Sequence, residues 1–107
     1  MGQFNGGMNE LMRQAARMQR KIEQVKKECG DTEVSAGAVS DKVKATVTLA
    51  GKVSRIEVDA EFLKAEGLEL ALDSACAAIN AALELAEKAM DAELAKVTGG
   101  AKIPGLV

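Results

Sequence analysis

From Met8 the apolar positions recur at alternating spacings of three and four, through Leu11, Ala15, Met18, Ile22, Val25 and Cys29. That spacing places all seven on one narrow stripe of a helix, the a/d seam of a heptad pattern. A seam this narrow suits one partner helix better than a broad sheet. The glycine-rich lead, residues 1–7, is expected to be a flexible segment, and the helical arm is expected over 8–29. Gly30 is expected to end that helix in a left-handed cap. The period then falls to two over residues 32–58, which predicts three strands. Glu33 to Ala38 reads weakly as the first. Lys42 to Ala50 alternates cleanly, with Val43, Ala45, Val47 and Leu49 on one face. Ala50-Gly51-Lys52 is a turn, and Val53 to Val58 returns as the third strand. Val53 is odd-phased and Ile56 and Val58 even-phased, so a bulge is expected near Ser54-Arg55.

Asp59 is placed to cap a short turn through Leu63, and Gly67 separates it from a second long helix at 68–97. Its expected main apolar stripe is Leu68, Leu72, Cys76, Ile79, Leu83, Ala86, Met90, Leu94 and Val97, widened by Ala75, Ala78, Ala82, Ala89 and Ala92. Residues 99–107 form a tail expected to be mobile. The layout is α+β: a helix, a three-stranded antiparallel sheet and a long helix, with the helices collected on one side of the sheet.

The chain has 107 residues, enough for a single domain with one modest core. Two Phe and no Trp or Tyr leave that core to Ala, Leu, Val and Met. A small core and a narrow seam both call for more buried area, and an isologous dimer supplies it. The seam residues Met8, Leu11, Ala15, Met18, Ile22 and Val25 are then the expected dimer contact, with an internal helix pair as the alternative. Cys29 and Cys76 are too few for a disulfide framework, and without any His they cannot complete a zinc site. They read as small buried hydrophobes in a reducing compartment. No signal peptide is read at the N-terminus. Glu69, Asp73, Asn80 and Glu84 interrupt the most apolar stretch, so no membrane span is expected, and the expected address is the cytoplasm.

The net charge of −2 gives no global argument for nucleic acid, so any such case rests on local clustering. Between Glu10 and Glu28 there are six basic residues, Arg13, Arg17, Arg20, Lys21, Lys26 and Lys27, against three acidic ones. With Met8 at heptad position a, Arg13, Arg20 and Lys27 fall at f, opposite the seam, and Arg17 lies close by. A basic stripe of this kind suits the phosphates of a duplex, and equally a solvated helix face. Lys42, Lys44, Lys52 and Arg55 are further candidate contacts on the hairpin. From Glu61 to Lys96 eight acidic residues outnumber three basic ones, so the second helix is not expected to touch phosphate. With so few aromatics, base stacking is excluded in practice, and double-stranded DNA is preferred to single-stranded RNA. There is no His, no phosphate-binding glycine loop and no nucleophile elbow, so no enzyme, cofactor, metal or small-molecule substrate is expected. Glu57, Asp59 and Glu61 read as capping and solvated carboxylates.

Gly6-Gly7-Met8 with Leu11-Met12, Ala15 and Met18-Gln19 resembles the opening of the YbaB/EbfC family of nucleoid-associated proteins. Val43-Lys44-Ala45-Thr46-Val47-Thr48 with Gly51, Ile56-Glu57-Val58-Asp59, Ala78-Ile79-Asn80 and Ile103-Pro104-Gly105-Leu106 follow in the family's order. The resemblance implies an intertwined homodimer with projecting helical arms, associated with the nucleoid. It also implies a protein that binds double-stranded DNA with low sequence specificity, alters its conformation and thereby affects gene expression. The six basic residues of the arm would be the phosphate contacts. The competing reading is a protein–protein adaptor, in recombination, repair or another process, that uses the arms and binds DNA weakly or not at all.

Overall fold

A computed structural model describes residues 2–99, in the order α1 (Gly2–Cys29), β1 (Glu33–Ala38), β2 (Val43–Thr48), β3 (Val53–Val58), α2 (Ala60–Glu66) and α3 (Leu68–Thr98). Residues 100–107, which hold nearly all of the expected tail, lie outside the described residues. α1 begins at Gly2, six residues before the expected start of the helical arm at Met8. Helix extension adds one hydrogen bond per residue once a nucleus exists, which carries α1 through residues of poor intrinsic propensity.

α1 ends without the expected left-handed cap. Gly30 is not among the positive-φ residues, and Thr32 N–H instead closes a turn onto Cys29 O at 3.0 Å. Gly30 is buried, and a Cβ there would stand 2.7 Å from the Lys26 carbonyl oxygen and 3.7 Å from the Ala50 side chain. The requirement is close approach. Ala50 N–H donates to Gly30 O at 3.1 Å and Leu49 N–H to Thr32 O at 2.9 Å, which fastens the end of α1 to the β2–β3 turn.

The sheet is antiparallel in the order β1-β2-β3. The register runs Thr46↔Arg55 and then Val47↔Val53, so Ser54 is the extra residue of a bulge, at the place where the apolar phase changes. Val43, Ala45 and Val47 of β2 are fully buried beneath α3. Thr46, on the opposite face, is also buried and shares a 2.8 Å hydrogen bond with Ser35 Oγ, which satisfies both hydroxyls.

α3 meets the sheet through its alanines. Ala75, Ala78, Ala82 and Ala86 are buried against β2, with Val34, Ala36 and Ala38 of β1 packed beside them. Leu68 and Leu72, assigned from sequence to the inward stripe, are 64% and 58% exposed, and Cys76 is exposed with them. Hydrophobicity ranks Leu above Ala, but a line of single methyl groups lets a helix backbone approach a sheet closely and fill the contact without voids. The stripe is therefore rotated from its expected position. Asp59 caps α2 by accepting from Phe62 N–H at 3.0 Å, and α3 ends at Gly99 in a left-handed conformation (φ 67, ψ 24).

The chain is elongated, 76 × 20 × 17 Å, with a radius of gyration of 20.4 Å. A compact globule of this length has a radius of about 13 Å. α1 accounts for the difference: it packs along α3 rather than on the sheet and continues past it.

Candidate nucleic-acid interface

The facing of α1 is fixed by what it buries. Ile22 is 3% exposed and Met18, Val25 and Cys29 are partly buried, whereas Met8 and Leu11 are 58% and 64% exposed and Ala15 is open as well. The predicted seam is thus divided. Its second half packs within the chain, on α3, where Leu94 is 2% exposed. Within one chain those positions take part in the internal helix pair, with Ile22 buried and Met18 and Val25 partly so. The first half has no cover among the described residues.

With the buried side settled, the 3.6-residue period turns Arg13, Arg17, Arg20 and Lys27 outward together. All four are exposed. From Arg13 to Lys27 the stripe runs about 21 Å along the axis. Arg13 and Arg17 each lie 3.9 Å from Glu10, with side chains 70% and 59% exposed. Pairs so long and so wet contribute little, and leave the guanidinium groups available to a stronger anion. Arg20, Lys21 and Lys27 have no ion pair among the described residues. Lys21 stands at the edge of the stripe. Lys26 does not belong to it: it lines the cleft between α1 and α3 together with Glu87 and Asp91. Its heptad position e, beside the seam, is the sequence signal for that placement.

The hairpin candidates separate into two groups. Lys52 follows the turn that is hydrogen-bonded to the end of α1, so its charge extends the arm. Lys42 and Lys44 lie at the other end of β2, in a shallow depression shared with Asp41, Glu57 and Asp59. Arg55 is held by acids on both sides, 3.2 Å from Glu57 and 3.6 Å from Glu33, and it crosses β2 to reach the second of these. Those three cations sit in a locally neutral field. α3 carries Glu69, Asp73, Glu84, Glu87 and Asp91 along the side away from the sheet, which confines any anion-binding surface to α1 and the adjoining turn.

A second surface was missed in the sequence. α3 lies over β1 and β2, and the same face of β3 is left open: Val53, Ile56 and Val58 are 46%, 43% and 38% exposed. Leu68 and Leu72 stand on the adjacent, uncovered side of α3. The alternation of β3 was the available signal, since an apolar row on an edge strand needs a cover that the described residues do not provide. Cys76 belongs to this exposed region and Cys29 is only partly buried, so the two cysteines are less enclosed than their residue type implied. Among the described residues, no cluster of acidic, Cys or His side chains is placed to hold a metal ion, and no helix is long and apolar enough to cross a membrane.

Comparison with known proteins gives a concordant result. The model of the YbaB/EbfC DNA-binding family matches residues 4–101. A nucleoid-associated protein of Clostridium acetobutylicum is 34% identical over 98% of this chain and 94% of its own length. One of Acetivibrio thermocellus is 36% identical over 96% and 92%, and one of Alkaliphilus metalliredigens is 38% identical over 92% and 87%. Among solved structures, an uncharacterized protein of Helicobacter pylori superposes with a TM-score of 0.69 at 15% identity, covering 85% of this chain and 96% of that one. That likeness shows the same α+β fold.

Proposed function

Because the chain belongs to the YbaB/EbfC DNA-binding family, we propose that it acts as a nucleoid-associated homodimer that grips double-stranded DNA through the outward face of α1. The observation carrying this reading is the row Arg13, Arg17, Arg20 and Lys27, all exposed on one side of a helix that projects from the body. Its length of about 21 Å is roughly two-thirds of a duplex turn. Arginine and lysine side chains meet phosphates without reading bases, so binding is of low sequence specificity. Two arms on one dimer contact the duplex at two places, and the DNA changes shape if the arms hold it away from a straight path.

The dimer contact is assigned to the open face of β3 together with Leu68 and Leu72, and not to the heptad seam. Apolar side chains on an edge strand and an adjoining helix make a self-complementary patch for a twofold partner. The named relatives are nucleoid-associated proteins, which supports a role at the nucleoid. No chemistry is assigned to the chain, and no cofactor or small-molecule substrate enters the proposal.

The test is charge reversal at Arg13, Arg17 and Arg20 to Glu, compared with reversal at Lys42 and Lys44, in a duplex gel shift. Loss of binding in the first variant and retention in the second supports the α1 surface. Equal binding by both eliminates it. The adaptor reading is favoured if the wild-type protein gives no shift at low salt and instead forms a stable complex with another protein.

A further inference from the structure

The first half of the α1 seam is used neither by the fold nor by the proposed dimer contact. Of its positions Met8 and Leu11 are 58% and 64% exposed and Ala15 is open; Met12, beside the seam at heptad position e, is 68% exposed. Met8, Leu11 and Ala15 continue the line of positions that packs on α3 from Met18 onward, but α3 ends at Thr98 and no described residue covers them. The geometry points to a second copy of the same arm as the occupant: arm tips of neighbouring dimers pair with each other once the dimers are bound to DNA. This rests on the DNA-binding reading above.

Three features select that occupant. The seam is continuous with an interface the fold already forms, so its spacing is suited to receiving a helix. The positions flanking the exposed tip, Gly7, Met12, Gln14 and Gln19, are uncharged, so two identical arms approach without like charges meeting. Glu10 is turned toward Arg13 and Arg17, at 3.9 Å from each, which keeps those charges on the far side of the helix. The basic face therefore stays on the duplex while the apolar face meets the neighbour.

Size determines when the contact forms. A few side chains from each tip bury on the order of several hundred Å² in total, below the ~1,200 Å² of a stable interface. Free dimers thus do not pair through their tips at micromolar concentration. Dimers held side by side on one duplex experience a much higher effective concentration, and there the same contact is sufficient. The consequence is cooperative binding on long DNA.

The experiment compares the wild type with the full-length variant carrying Leu11→Ser and Met12→Ser. Both residues are exposed, and circular dichroism and solution mass check the fold and the dimer. Binding is measured to a duplex of about 20 base pairs, which holds one dimer, and to one roughly tenfold longer. The expected result is equal affinity for the short duplex and a steep, cooperative isotherm on the long duplex for the wild type alone, with the variant's midpoint about tenfold higher. A variant that stays cooperative, or a wild type that binds the long duplex without cooperativity, overturns the proposal. So does a variant that becomes monomeric, because the tips would then belong to the dimer contact itself. Absence of wild-type binding to the short duplex refutes the DNA reading instead, and the two failures are thereby told apart.

Discussion

Ala77 and Ala78 are neighbours in α3 with opposite environments: Ala77 is exposed and Ala78 is 0% exposed, facing the β2 valines. Replacing each with Leu gives the same chemical change 100° apart on one helix, with almost no difference in helix propensity between Ala and Leu. At Ala77 the three added carbons enter solvent, and stability changes by no more than about 0.5 kcal/mol. At Ala78 they must enter a contact already filled by Val43, Ala45 and Val47, each fully buried. Overpacking at such a site costs about 1–3 kcal/mol, and the short methyl line leaves little room for relaxation, which places the expected loss at the upper end. For a domain of this size each kcal/mol lowers the melting temperature by roughly 4–8 °C. Urea and thermal unfolding at fixed protein concentration measure both variants. Equal destabilisation, or a larger loss at Ala77, would refute the packing of α3 on the sheet through its alanines.

Three further outcomes follow from individual contacts. Asp59→Ala removes the carboxylate that accepts from Phe62 N–H at 3.0 Å, and costs about 1 kcal/mol in urea unfolding. Gly30→Ala is destabilising in the same assay, because its Cβ meets the Lys26 carbonyl oxygen at 2.7 Å, whereas helix propensity alone predicts a gain of about 1 kcal/mol. Ile56→Asp, at a position 43% exposed on β3, leaves the circular dichroism spectrum unchanged and converts the dimer to a monomer by light scattering. A variant still dimeric at micromolar concentration would move the contact elsewhere.

The seam of α1, the clean alternation of β2 and the cap at Asp59 were legible because each depends on neighbours close in sequence. The bulge at Ser54 was legible for the same reason: a phase change inside one strand is a local signal. The facing of α3 was not. Its leucines and alanines both make stripes of helical period, and only the distance to the sheet, a tertiary quantity, decides that Ala78 and Ala82 turn inward while Leu68 and Leu72 do not. Gly30 was misassigned because a glycine after a helix serves a left-handed cap or a close approach equally well, and the second, 2.7 Å from a Cβ to the Lys26 carbonyl oxygen, depends on the path the backbone takes out of α1. The basic row Arg13, Arg17, Arg20 and Lys27 follows from heptad phase alone. The division of the seam at Met18 does not, since it depends on where α3 stops.

The most direct test of the arm as a phosphate-binding surface is the salt dependence of duplex binding. With four outward cations on each arm, Arg13, Arg17, Arg20 and Lys27, a dimer engaging all of them gives a slope of log K against log salt of about −7. Replacing Arg13 and Arg20 with Gln reduces the magnitude of that slope by about 3.6 while leaving the fold intact. A wild-type slope near zero, or an unchanged slope in the double variant, would contradict phosphate contact by the face of α1.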